Sequence, residues 1–260
     1  MKQTDFSVVI EGEPLHIAAY LREAGPELLF LIHGLGCSKD SFHHLWNYHP
    51  FDNYSVMAVD LAGFGNSSKS RNFSYTMEAQ AQICAEILSE FSEKKLHIVA
   101  HSMGGAVALL LPHKVLERTE TFVNVEGNLI AEDCDIAGRK IISVPPDIFA
   151  KNVLPEVHDL FKRFGHGYTA IDDTSADALY RSARSLTAWS DSKKLLELFL
   201  GLTCRKAYFY GEDNAEHPTI ASIGNVTKVM IKRSGHFPMN DNPEDFYGTL
   251  HQFVTTATMG

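Results

Sequence analysis

The sequence lacks any apolar run long enough to cross a bilayer. Its longest, Ala106 to Pro112, falls far short of the ~20 residues that a spanning helix needs. Positive charge is also scarce: 23 Lys and Arg stand against 32 Asp and Glu, a formal net charge of −9. A nucleic-acid groove and an anionic membrane surface both require clustered positive charge, so neither partner is expected. The four cysteines, Cys37, Cys84, Cys134 and Cys204, form no CxxC or Cys/His spacing, which argues against structural zinc. Scattered single cysteines read as small core residues in a reducing compartment. The N-terminal stretch MKQTDFSVVIEGEP has no apolar run of about 7–15 residues and carries Asp5, Glu11 and Glu13, so it does not read as a secretory signal. These absences lead to the expectation of a cytoplasmic protein with neither metal nor dissociable cofactor. Low-complexity segments and internal repeats are absent too.

What remains is ordinary globular composition. The 260 residues are 45% hydrophobic and 21% charged, enough for one large α/β domain or a core with a small addition. Short apolar runs alternate with helical patterns. Val8 to Ile10 and Leu15 to Leu21 flank the turn Glu11-Gly12-Glu13-Pro14 and read as a hairpin. Leu28 to Ile32 and Val56 to Val59 read as strands buried on both faces, and Leu96 to Ala100, Phe122 to Val125, Ala207 to Tyr210 and Val226 to Ile231 as further strands. Met77 to Phe91 has helical periodicity with Ser74 or Thr76 as its cap, and Gly104 to Leu111 continues the pattern. His43, His44 and His49 fall in one amphipathic helix on this reading. Pro243 opens a last helix with Asn242 as cap. Such alternation predicts a mostly parallel, doubly wound sheet that binds ligands beyond the carboxyl ends of its strands. The rhythm breaks between about Asn128 and Leu200, where a Pro145-Pro146 pair and a Gly-His-Gly turn at 165–167 suggest helical insertions.

The strongest chemical signal is Leu96-His97-Ile98-Val99-Ala100-His101-Ser102-Met103-Gly104-Gly105. A strand runs into a tight turn and then into a helix that opens with glycines. A serine on such a turn projects its hydroxyl clear of the sheet, and the glycines let two backbones pass closely. The amide of Met103 falls at the helix N-terminus, suited to a developing negative oxygen.

This segment resembles the G-x-S-x-G nucleophile elbow of the α/β-hydrolase family, with Ala100 in place of the first glycine. Three further segments carry the resemblance. His33-Gly34-Leu35-Gly36 looks like the family's oxyanion loop, Asp60-Leu61-Ala62-Gly63-Phe64-Gly65-Asn66-Ser67 like its structural D-x-x-G-x-G-x-S loop, and Ser234-Gly235-His236-Phe237-Pro238 like the loop that carries its base. The resemblance implies an α/β-hydrolase fold: a mostly parallel eight-stranded sheet flanked by helices, with a helical cap inserted after the sixth strand. Residues 1–127 and 191–260 would form the core and 128–190 the cap. It implies Ser102 as nucleophile, His236 as base, and the amides of Leu35 and Met103 as the oxyanion hole.

The acid has two candidates. The family's commoner place is three residues after Gly211, where this chain has Asn214, with Asp213 one residue early. The less common place, similar to one subgroup of haloalkane dehalogenases, is the end of the sixth strand, where Glu126 stands. Glu126 is preferred because a carboxylate at a buried strand end must find a partner, and His236 would supply one; Asp213 is the alternative. His33, Gly34, His101 and Trp189 are expected around the substrate, with Ile141, Ile142, Phe149, Phe161, Phe164, Leu179 and Leu186 as further lining. Lys140, Arg163, Arg181 and Arg184 are the basic residues that could face an acidic substrate.

The resemblance implies a serine hydrolase acting on a small, largely uncharged ester or related acyl compound. A serine nucleophile disfavours dehalogenase and epoxide hydrolase chemistry, which need a carboxylate there. Other chemistries of the scaffold stay open: C–C hydrolase, lactonase, thioesterase, hydroxynitrile lyase, perhydrolase, or a ligand receptor with little turnover.

Overall fold

A computed structural model describes residues 1–135, 137–164 and 170–256. Eight strands form one sheet in the order β1-β2-β4-β3-β5-β6-β7-β8. They are β1 Lys2–Ile10, β2 Glu13–Arg22, β3 Glu27–Ile32, β4 Ser55–Val59, β5 Lys95–His101, β6 Thr119–Val125, β7 Arg205–Gly211 and β8 Thr227–Ile231. β1 and β2 are an antiparallel hairpin, β2 also pairs antiparallel with β4, and the remaining pairs are parallel. Glu11 and Gly12 both have positive φ, 55° and 77°, which a two-residue turn of this hand requires.

The central strands are apolar because both faces are covered. Leu28, Phe30 and Ile32 of β3 enter one core and Leu29 and Leu31 the other. In β4, Met57 and Val59 divide from Val56 and Ala58 in the same way. This is the period of two that strand geometry imposes. The first core holds the helix Met77–Ser89, and the second the helix Pro243–Thr255. The caps fall where the sequence suggests: Thr76 accepts from the amide of Ala79 and Asn242 from that of Asp245. One expectation fails. The segment Lys39–Asn47 is a kinked 3-10 turn, and His49 begins a separate one over His49–Phe51. Tyr48 is extended between them, with φ −96° and ψ 92°, and this breaks the helical run into two turns.

Between β6 and β7 the described residues form helical turns and no strand. The larger helices there are Leu154–Phe164, Ala176–Asp191 and Lys194–Gly201. Ala176–Asp191 packs on the 3-10 turn Ala131–Cys134 and on the helix Gly138–Ile142. The Gly-His-Gly turn and the side chain of Phe164 lie outside the described residues. No helix among the described residues is long and apolar enough to cross a membrane.

Candidate active site

The loops that follow β3, β5, β6, β7 and β8 converge at the carboxyl end of the sheet. Ser102 follows β5 with φ 51° and ψ −120°, a conformation that costs a non-glycine residue about 1–3 kcal/mol. Two neighbours make it attainable. The amide of Ser102 donates to the carbonyl of Val125 at 2.9 Å. Gly104 opens the helix Met103–Leu109 against the end of β3, where an added Cβ would sit 2.5 Å from the carbonyl oxygen of Ile32. A side chain at 104 would push the elbow away from the sheet.

The loop after β3 faces this elbow. An added Cβ on Gly34 would lie 3.0 Å from Cβ of Ser102, so the two backbones touch. Leu35 and Met103 are buried, and no backbone hydrogen bond described for loops, turns and caps uses either N–H. Met103 is the first residue of its helix, so its N–H has no intrahelical acceptor. The loop is held from behind. His33 donates from Nδ1 to the carbonyl of Gly34 at 2.7 Å and accepts at Nε2 from the amide of Leu61 at 3.0 Å. Burial pushes its pKa below the usual histidine value, which suits that neutral pairing. Lys39, fully buried, places Nζ 2.6 Å from Asp60 Oδ2, while Oδ1 accepts from the backbone amide of Lys39 at 2.7 Å. Asp60 Oδ2 also accepts from the amide of Asn66 at 2.9 Å. The structural part expected of Asp60 thus has a buried cation as its counterpart.

His236 lies on the loop after β8, partly exposed. Its Nδ1 is 3.6 Å from Oε2 of Glu126. Glu126 turns out of β6 with φ 49°, and its amide donates to the carbonyl of Phe209 at 2.9 Å. Its second oxygen, Oε1, accepts from the amide of Gly211 at 2.7 Å and from Asn214 Nδ2 at 3.0 Å. One carboxylate oxygen is therefore held by two donors and the other faces the imidazole. Asp213 is exposed, and its amide donates to the carbonyl of Ser234; no described contact joins its carboxylate to His236.

Ser102 and His236 open onto one cavity of about 660 Å³, counting its mouth. Its walls include Leu35, Cys37, Cys134, Leu160, Phe161 and Leu186, with Asn128 and Asp133 as polar members. Asp133 is spent on its own loop: Oδ2 accepts from the amides of Leu129 and Ile130, and Oδ1 from the Thr219 hydroxyl. Burial pushes its carboxyl up and the Cys37 thiol up to about 12. Of the residues expected around the substrate, His101 lies on the wall, and Gly34 meets Ser102 behind it. His33 and Trp189 do not line the cavity. His33 is consumed by the loop bonds above, and Trp189 turns outward to donate from Nε1 to Glu78 at 2.9 Å. Ile141, Phe149 and Leu179 are buried in the first core rather than lining the cavity. The basic candidates also point elsewhere: Lys140 pairs with Glu156, Arg181 with Asp177, Arg163 with the carbonyl of Asp159, and Arg184 is exposed. Cys37, Cys134 and Asn128 escape the sequence reading because nothing in their spacing separates a lining residue from a core one. Among the described residues, no group of three or more His, Cys, Asp or Glu side chains is gathered as a metal site.

Known proteins are similar to this chain in sequence and in fold. An uncharacterized protein of Mycobacterium tuberculosis is 25% identical over 265 residues, which cover 90% of this chain and 76% of that protein. The structure of an N-acyl homoserine lactonase superposes with a TM-score of 0.79 at 17% identity, covering 99% of this chain and 98% of its own. A thermophilic esterase from Thermogutta terrifontis superposes at 0.73 with 17% identity, covering 99% of both chains. The model of the alpha/beta hydrolase family matches residues 29–249. With the strand order and the elbow at Ser102, that match shows that the chain belongs to the alpha/beta hydrolase family.

Proposed function

We propose that the protein is a serine hydrolase that cleaves small, largely uncharged esters or related acyl compounds through an acyl-enzyme. The observation that carries this reading is the 3.6 Å approach of Glu126 Oε2 to His236 Nδ1, beside a serine held at positive φ in the same cavity. Ser102 Oγ attacks the acyl carbonyl while His236 takes its proton. Glu126 holds the imidazole with Nδ1 protonated and offsets the imidazolium that forms. The amides of Leu35 and Met103 receive the oxyanion, each contributing about 3–4 kcal/mol to the transition state. His236 then protonates the leaving group, and water releases the acyl chain by the same route in reverse.

The cavity supports the substrate class. Its described lining is mainly apolar and holds no Lys or Arg, so nothing there would pair with a substrate carboxylate. The helical segment 128–190 acts as a cap on this reading, with Cys134, Leu160, Phe161 and Leu186 among the residues it contributes to the wall.

Steady-state hydrolysis of short-chain p-nitrophenyl esters tests the reading. Continuous release that disappears in Ser102→Ala is the expected result. A single burst equal to the enzyme concentration would instead mark a receptor that is acylated once. No release from either protein would refute ester cleavage.

A further inference from the structure

His101 stands where three loops meet. It is the last residue of β5, adjoins Ser102 and is fully buried. Its Nε2 lies 2.8 Å from the carbonyl oxygen of His236. A carbonyl only accepts, so the imidazole is fixed as the tautomer with its proton on Nε2. The ring lies 4.9 Å from that of His236 and 5.0 Å from that of Phe237, centroid to centroid. Its other nitrogen, Nδ1, has no hydrogen-bond partner among the described residues. It faces Gly34 of the oxyanion loop, where an added Cβ would sit 3.0 Å from it. Burial and the adjacent His236 hold His101 well below the usual histidine range. The ring therefore stays neutral, and an imidazolium on His236 meets no like charge from it.

We propose that His101 is a positioning residue, whose Nε2–H bond to the His236 carbonyl and contact with Gly34 hold the base, the nucleophile and the oxyanion loop in one register. This rests on Ser102 and His236 being nucleophile and base. Two loops far apart in sequence bring those groups to the cavity, and His101 joins the backbones that carry them through one rigid ring. Without that link the base loop can shift relative to the elbow, and a misplacement of about 1 Å at a reacting centre costs on the order of a hundredfold in rate. The same contact accounts for glycine at 34: a side chain there would displace either the ring or Ser102.

The test compares wild type, His101→Leu and His101→Gln in the rate of inactivation by a fluorophosphonate and in kcat and KM on p-nitrophenyl butyrate. Gln can present an amide N–H near the place of Nε2, whereas Leu keeps bulk without a donor. His101→Leu is expected to lose about a hundredfold in both kcat and inactivation rate with KM little changed, and His101→Gln to recover most of that loss. His101→Leu at the wild-type rate would overturn the proposal. So would His101→Gln as slow as His101→Leu when both match wild type in circular dichroism and Tm. Should His101→Leu fail to fold, nitrogen-15 NMR of the wild-type imidazoles decides. A neutral, Nε2-protonated His101 at neutral pH is expected, and a ring that is charged there or carries its proton on Nδ1 overturns the proposal. If wild type and Ser102→Ala react alike with the phosphonate, the nucleophile assignment fails instead.

Discussion

Asn214 donates from Nδ2 to Oε1 of Glu126 at 3.0 Å, tying the loop after β7 to the residue that follows β6. The position three residues after Gly211, where the family's commoner acid would stand, thus holds an amide that supports a carboxylate arriving from the neighbouring strand. Gly211 supplies a second donor to the same oxygen. Both bonds occupy Oε1 and leave the other oxygen for His236.

Glu126→Gln is expected to lower kcat by about 10⁴, because an amide no longer imposes the tautomer that His236 needs as a base. Asp213→Asn is expected to leave kcat near the wild-type value, since its carboxylate is exposed and shows no described contact with His236. Kinetics of the two variants on one p-nitrophenyl ester check the pair. A large loss in Asp213→Asn alone would move the acid to the loop after β7.

Asn214→Asp places a second carboxylate beside Glu126. In the proposed mechanism His236 must be neutral to take the Ser102 proton, and added negative charge beside Glu126, the partner of its imidazole, favours the protonated form. The acid limb of the kcat/KM profile is therefore expected to move to higher pH. A pH–rate profile of wild type and variant measures the shift, and an unmoved limb would mean that Asn214 does not sense the working carboxylate.

Lys39→Met breaks the buried pair with Asp60 while keeping most of the side-chain bulk. Removing one partner of such a pair costs about 3–5 kcal/mol, because the remaining charge stays buried. Urea unfolding is expected to show a loss of that order, nearly independent of salt. A loss below about 1 kcal/mol would place the pair in the class of exposed ion pairs.

Burial pushes His97 down to about 4, against an ordinary value of 6.5, with only partial opposition from Glu120. The unfolded chain then binds more protons than the folded one between those values, so stability falls as pH drops through that window. At about 1.4 kcal/mol per unit, His97 accounts for a loss of roughly 3 kcal/mol by pH 4. His97→Gln is expected to flatten this part of the stability profile in urea melts at several pH values. An unchanged slope would assign the loss to other buried groups such as His33 and His101.

The strand pattern was legible because the central strands divide Leu28, Phe30 and Ile32 from Leu29 and Leu31 at a period that strands impose. The elbow was legible because Ser102 and Gly104 answer a steric demand that few residues meet. Glu126 could be preferred from the cost of leaving a carboxylate unpaired at a strand end. The cavity wall was legible only in part: His101, Phe161 and Leu186 lie on it as expected, and other candidates do not. Trp189 and Leu186 are three residues apart on one helix, yet Leu186 faces the cavity and Trp189 bonds Glu78, and only the packing of that helix on its neighbours decides between them. Lys39 was missed because a lone lysine after a turn reads as solvated, and its partner Asp60 lies twenty-one residues away.

The central claim is that Ser102 is the nucleophile, and covalent labelling tests it most directly. Intact mass and peptide mapping after treatment with a fluorophosphonate should show one adduct, on Ser102, and none on the Ser102→Ala variant. Equal labelling of the two proteins, or an adduct on another residue, would contradict it.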